Sequence, residues 1–405
     1  MYKQLLFFIT IVFFLIASAS VSAQEITTLD LDSEAAVLMD GETGQILYGK
    51  NETKRMYPAS ITKIATAIYA LEKGNLQDQV TISEEATHVA GTRVYLEPGE
   101  VVSLEKLIIG MLVNSGNDAA YAIAEHIDGD ILNFSRNINR FLREKIGVKN
   151  TNFTNPHGLF AEDHYTTPVD MGLITRYAMK NEQFRKYFRI KEYEWNGLSW
   201  QTTLHNHHRL VKGELPFAGI TGGKNGFVNE SGHTLVTTAE RNERALIVVT
   251  MKAMYRDAPY YDTMKLLEYG FNNFRQKTIP ANTLLEYAGE EYLVPNDIVY
   301  WERDGGTVAY EVGPDGVLYL KDEAGKVLNT FQLTPQSKPE TVVVSGEVSE
   351  PVADFSLSQR SQKVLLIGGG VIALSWIGWL FWRRKNMRKK RMRVQSQILL
   401  KINRR

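Results

Sequence analysis

Residues Ile61 to Leu71 form a helix-length run that is apolar on nearly every face, with Gly74 placed to end it. Such a helix must lie at the centre of a domain. It nevertheless opens with Ser60 and Lys63, in the stretch Tyr57-Pro58-Ala59-Ser60-Ile61-Thr62-Lys63-Ile64. Three residues apart, the hydroxyl and the amine share one helical face beside the positive end of the helix dipole. Any fold that buries this helix therefore desolvates a lysine next to a serine. Desolvation lowers an amine's pKa, and a neutral amine can take the serine proton, so the pair suits nucleophilic acyl transfer. A lone Ser-x-x-Lys is common on ordinary helices, and the reading rests on what else the chain carries.

Two further pieces lie downstream. Ser115-Gly116-Asn117 falls between two helical stretches, Leu104 to Val113 and Asp118 to Ile127. Lys224-Asn225-Gly226 follows Gly222-Gly223 and precedes the β-branched run Leu235 to Thr238. A Ser-x-x-Lys, a Ser-x-Asn and a Lys-x-Gly, in that order and at domain-scale spacing, match the active-site set of the penicillin-interacting serine enzymes. Asp40-Gly41-Glu42-Thr43-Gly44-Gln45-Ile46-Leu47-Tyr48, Asn114 to Ala120 and Asn155-Pro156-His157-Gly158-Leu159 extend the likeness. Over roughly residues 30 to 275 the chain resembles the serine D-alanyl-D-alanine carboxypeptidases among the low-molecular-mass penicillin-binding proteins.

That resemblance implies an α+β fold of the penicillin-binding/β-lactamase-like transpeptidase type, an antiparallel sheet flanked by helices. It further implies a catalytic set of Ser60, Lys63, Ser115, Asn117 and Lys224. Gly116, Asn225, Gly226, Phe227 and Arg256 would contact substrate, the backbone N–H groups of Ser60 and Phe227 forming the oxyanion hole. The substrate is a peptidoglycan stem peptide ending in D-Ala-D-Ala, with β-lactams as covalent inhibitors, and no cofactor or metal is called for. One position departs from the pattern: Asn225 stands where the family usually has threonine. An amide can still donate to a carboxylate, but from one bond farther out.

The ends suggest where such a chain works. Residues 1–23, with Lys3, the apolar run Leu5 to Ala17 and the small-x-small Val21-Ser22-Ala23, read as a secretory signal. Residues 364–382 are uncharged, long enough to cross a bilayer, and carry Trp376, Trp379 and Trp382 toward one end. The tail, 383–405, has 11 basic residues and no acid, which places it in the cytoplasm and the catalytic part outside at the cell membrane. The formal net charge of the 405 residues is zero, but removing signal and tail leaves 34 basic against 46 acidic residues, a net of −12. An acidic ectodomain argues against nucleic acid as a partner, and the basic tail suits anionic lipid. The absence of cysteine removes thiol chemistry and disulfides.

Between the ends, 24–275 is expected to be the catalytic domain, 276–350 a small all-β domain and 351–363 a linker. Strands are expected at Ala35–Met39, Gln45–Tyr48 and Ala245–Met251, and helices at Ile131–Lys145, Met171–Met179 and Met264–Phe274. Short alternating runs from Thr283 to Phe331, and at Thr341–Val344, give the all-β reading. His205, His207 and His208 lack metal-site spacing and read as a polar loop. His157 and Asp170 read as structural, and the aromatics Tyr187, Phe188, Tyr193, Trp195 and Trp200 as packing. Two rivals to the carboxypeptidase remain. A class A β-lactamase would need a Glu-x-x-x-Asn segment suitably placed between Asn117 and Lys224, and a weakened muropeptide-binding protein is suggested by Asn225 alone.

Overall fold

A computed structural model describes residues 29–336. The expected signal, linker, membrane segment and tail lie outside them, as does the run Thr341–Val344. Among the described residues no helix is long and apolar enough to cross a membrane.

The chain opens with strands β1 (Ala35–Asp40) and β2 (Ile46–Lys50), then helix α1 (Lys63–Lys73) and the ribbon β3 (Gln79–Thr81) and β4 (Val101–Ser103). Helices α2 (Leu104–Val113), α3 (Asn117–Asp128), α4 (Ile131–Phe141), α5 (Pro168–Lys180) and α6 (Glu182–Phe188) follow. Next come the hairpin β5 (Glu192–Asn196) and β6 (Gln201–His205), strands β7 (Ile220–Val228), β8 (Gly232–Arg241) and β9 (Arg244–Ala253), and helix α7 (Ala258–Asn272). Five strands form one antiparallel sheet in the order β2-β1-β9-β8-β7.

The two-residue period of a strand decides which core each side chain joins. Ala35, Val37 and Met39 of β1, with Ile247, Val249 and Met251 of β9, face the large core that holds α1, α2 and α3. Ala36, Leu38, Leu246 and Val248 face the other way, onto Leu266 and Leu267 of α7. Both faces of these strands are covered, so their sequences read as nearly continuous apolar runs. Helix α1 crosses the large core with every residue from Lys63 to Ala70 buried, as its all-round apolar pattern demands.

Three boundaries differ from expectation for local reasons. The nucleophile's helix starts as a tight 3-10 turn, Ala59–Thr62, because the Thr62 hydroxyl bonds back to the Ala59 carbonyl at 2.9 Å. Helix α4 stops at Phe141 and widens into a π turn, Leu142–Ile146, where Gly147 at φ 84° lets the amides of Gly147 and Val148 both reach the Leu142 carbonyl. Helix α7 begins at Ala258, with Pro259 in its first turn, and ends at Asn272.

From Phe274 the described chain is strands only. Phe274–Ile279 pairs with Ile298–Arg303 and was not legible, because Arg-Gln-Lys-Thr in its middle is exposed and shows no apolar alternation. Ile279, Val294, Ile298, Tyr300, Leu318 and Leu320 are among the residues of a separate small core here. This part is fastened to the sheet through buried Gln45, whose amide Nε2 donates to the Trp301 carbonyl at 2.6 Å while its Oε1 accepts from the Trp301 N–H at 2.7 Å. The Arg244 guanidinium lies 3.6 Å from the centroid of the Trp301 ring and donates to the Gly270 carbonyl at 2.8 Å. Gln45→Ala strands both Trp301 backbone groups and should lower stability by about 1–3 kcal/mol in denaturant titration. The rate of a reaction at Ser60 should change little in the same variant.

Candidate active site

Ser60 and Lys63 sit where the 3-10 turn passes into α1, and the Lys63 amine is the centre of the site. Its Nζ lies 3.0 Å from Ser60 Oγ, 2.7 Å from Asn117 Oδ1 and 2.7 Å from the His157 carbonyl oxygen. Two of these partners can only accept. A neutral amine has two N–H bonds and one lone pair, so donation to Asn117 and His157 turns the lone pair to the Ser60 hydroxyl. The electrostatics favour that neutral form: complete burial drives the Lys63 pKa well below an ordinary lysine's, and the Lys224 charge pushes the same way against a smaller opposing pull from Asp118.

Asn117 is oriented by its other bonds. Its N–H donates to the Thr92 carbonyl at 2.7 Å and its Nδ2 to the Ala90 carbonyl at 2.6 Å, which leaves Oδ1 for Lys63. Gly91, at φ 87°, allows that loop in, since a Cβ there would come within 2.8 Å of Asn117 Nδ2. Buried Asp118 holds the loop's continuation by accepting from the N–H groups of Val94 at 3.0 Å and Leu96 at 3.2 Å. Burial raises its pKa, and the same backbone N–H groups oppose the rise. Ser115 is buried with left-handed backbone at φ 60°, and Gly116 caps α3.

The third element is strand β7. Lys224 is buried, donates to the Asn225 carbonyl at 2.9 Å, and has its pKa lowered to about 7 by desolvation. Gly226 is required by proximity: a Cβ there would stand 2.6 Å from the Ser60 nitrogen. Thr234, its partner on β8, donates to the Pro58 carbonyl at 2.8 Å and ties the sheet to the nucleophile's turn. Phe227 is exposed and stacks on His233 at 4.5 Å. Beyond them opens a cleft of about 380 Å³ lined by Asn225, Gly226, Phe227, His207, His233 and Arg256 among others. Arg256 therefore shares a cavity with Asn225.

The remaining sequence candidates fall outside this chemistry. His205 is exposed and pairs with Glu192 at 3.2 Å. His208 is buried against Gly223 and lies 3.0 Å from the Thr237 hydroxyl. Asp170 accepts from the Asn150 N–H and the Thr151 hydroxyl, a structural role. Tyr187, Phe188 and Trp195 are core residues. Sequence reasoning missed Asp118 and His164, and missed that His157 contributes its carbonyl to the site. An acid directly after the Ser-x-Asn, opening the apolar stretch Ala119-Ala120, was the available signal for Asp118.

A family model described as D-alanyl-D-alanine carboxypeptidase matches residues 19–255. The carboxypeptidase DacF of Bacillus subtilis is 32% identical over 264 residues, covering 64% of this chain and 67% of that protein. The carboxypeptidase DacA of Haemophilus influenzae is 33% identical over 292 residues, covering 66% and 70%. Among solved structures, penicillin binding protein 5 of Haemophilus influenzae superposes with a TM-score of 0.65 at 26% identity, covering 76% of this chain and 98% of that one. Penicillin binding protein 6B of Escherichia coli gives 0.61 at 26%, covering 76% and 96%. The architecture is thus that of the penicillin-binding proteins. Within them, this chain belongs to the D-alanyl-D-alanine carboxypeptidase family.

The two lysines set a pH dependence. Lys63 must be neutral to act as a base, so kcat/KM should rise as pH climbs through its depressed pKa. The resemblance gives Lys224 the task of holding the substrate's carboxylate, which needs its charge, so kcat/KM should fall as pH passes about 7 in the free enzyme. In Lys224→Arg, whose cation does not titrate, the alkaline limb should disappear from a profile of penicillin acylation, whatever the absolute rate.

Proposed function

We propose that the protein is a penicillin-sensitive serine D-alanyl-D-alanine carboxypeptidase that removes the terminal D-alanine from peptidoglycan stem pentapeptides. The observation that carries this reading is the buried Lys63 Nζ, 3.0 Å from Ser60 Oγ, with a pKa driven well below an ordinary lysine's. Ser60 Oγ attacks the carbonyl carbon of the penultimate D-alanine while Lys63 Nζ takes its proton. The oxyanion rests on the N–H groups of Ser60 and Phe227. As the intermediate collapses, the C–N bond to the terminal D-alanine breaks. Ser115 passes a proton from Lys63 or Lys224 to the departing amine, and Asn117 keeps Lys63 in place and meets the peptide carbonyl. Water then cleaves the acyl-enzyme, trimming the donors available for cross-linking. Lys224, Asn225 and Arg256 hold the terminal carboxylate, a role supported by the cavity that Asn225 and Arg256 share.

The lactamase reading fares worse. The single Glu-x-x-x-Asn match between Asn117 and Lys224 is Glu192 to Asn196, which is strand β5, with Glu192 exposed and turned to His205. Fluorescent penicillin should label Ser60 covalently, with the adduct located by mass spectrometry and absent in Ser60→Ala. Free D-alanine should appear from a D-alanyl-D-alanine peptide. Asn225→Thr should keep or raise that turnover, since it restores the hydroxyl donor the family usually has at this position. Labelling without D-alanine release would favour the weakened muropeptide-binding protein.

The same proposal covers location. Residues 1–23 would direct export, 364–382 would span the cell membrane once, and the basic tail would stay inside, with the β strands after Phe274 and the linker 351–363 as a spacer. The support is the uncharged length, its tryptophans and the basic flank. Alkaline carbonate should leave the full chain in the membrane fraction, and protease added to protoplasts should digest the catalytic part. Extraction by carbonate would refute a spanning anchor.

A further inference from the structure

His164 lies 102 residues from the turn that carries the nucleophile, yet the two are joined by a hydrogen-bond chain whose direction is fixed by its ends. The Thr154 N–H, which can only donate, points at His164 Nδ1 at 3.0 Å. That nitrogen must therefore carry its lone pair, and the ring proton sits on Nε2. Nε2 lies 2.9 Å from Thr62 Oγ1 and donates to it. The Thr62 hydroxyl, supplied with a donor, gives its own proton to the Ala59 carbonyl at 2.9 Å. Each proton is used once. His164 is 1% exposed, Thr62 fully buried, and the imidazole stacks on Phe153 at 5.1 Å with planes 22° apart.

The far end of this chain is the peptide unit that matters. The Ala59 carbonyl and the Ser60 N–H belong to one planar peptide, so fixing the oxygen fixes the direction of the N–H. Ala59 has left-handed backbone, φ 50°, which a residue with a Cβ does not adopt unaided. The neighbours leave the peptide little room: a Cβ on Gly158 would meet the Ala59 oxygen at 1.9 Å, and one on Gly226 would meet the Ser60 nitrogen at 2.6 Å. We propose that His164 is a positioning residue for the reaction at Ser60, holding through Thr62 and the Ala59 carbonyl the peptide whose N–H forms half of the oxyanion hole. The inference rests on the acyl-enzyme reading above and adds a residue that does not touch substrate. Burial pushes the His164 pKa down to about 3, which keeps the ring in the neutral form the chain needs.

The test uses the full chain and measures the rate constant for Ser60 acylation by fluorescent penicillin, with thermal melting alongside. Thr62→Val removes the hydroxyl at nearly constant shape, His164→Phe keeps the stacked ring without its nitrogens, and Thr62→Ser restores the hydroxyl. Thr62→Val and His164→Phe should each slow acylation by about 10- to 100-fold, short of deleting an oxyanion donor outright. Thr62→Ser should stay near the parent rate. The double variant should be no slower than the slower single one, because both break the same chain. Label should still end on Ser60 in all of them. In the unaltered protein, ring ¹⁵N spectra at neutral pH should show the Nε2–H tautomer of His164. Singles that acylate at the parent rate, multiplying effects in the double, or a ring protonated on Nδ1 would each overturn the relay while leaving the carboxypeptidase intact. A parent protein that never labels would instead remove both. Should His164→Phe not fold, Thr62→Val against Thr62→Ser decides alone.

Discussion

A lysine amine without water is the constraint on which the molecule turns. Burying a charged ammonium is costly, and that cost drives the pKa of Lys63 well down toward the neutral amine, with two carbonyl-type acceptors and one hydroxyl around it. This environment exists because α1 is sealed on all sides, with Val37 and Met39 of the sheet and Phe134, Phe153 and Met171 of the helical side in the same core. Loosening that packing would admit water to the amine, restore its charge and turn a base into an ordinary cation. Core stability and reactivity are thus coupled through one nitrogen.

Close approach of three backbones is the second requirement. The Ser60 turn lies against β7 on one side and the Asn155–Leu159 turn on the other, and in both places the contact is made by a glycine, Gly226 and Gly158. These glycines do different work from those of surface turns such as Gly99 or Gly129, where an added Cβ would meet nothing. Thr234, Thr62 and His164 then hold Pro58 and Ala59 by their carbonyls, so the nucleophile's peptide is clamped from the sheet and from the helical side.

Charge is arranged in a gradient across the cleft. Burial drives the Lys63 pKa well down, desolvation lowers that of Lys224 to about 7, and Arg256 lines a cavity where His207 and His233 are pushed toward their neutral forms. Asn225, next to Lys224 on β7, lines the same cavity as Arg256.

Much of this was legible in the chain. The all-round apolar run after Ser60 required a buried helix, and the one-turn spacing to Lys63 put base and nucleophile on one face. The alternating runs of β1 and β9 announced a sheet, and Ser115-Gly116-Asn117 and Lys224-Asn225-Gly226 named the other walls of the cleft. Those signals are local, carried by periodicities of two and 3.6 residues. The acceptors that face the Lys63 amine come from Asn117 and the His157 carbonyl, 54 and 94 residues away, and the Ala59 carbonyl of the Ser60 peptide is tied through Thr62 to His164, 102 residues beyond Thr62. A carbonyl oxygen leaves no trace in sequence because every residue has one. A buried histidine with three neutral partners looks, in sequence, like any other. The amino-acid order therefore determined which groups could react, while only tertiary packing, by excluding water and choosing which distant acceptors face the amine, decided that they would be oriented to do so.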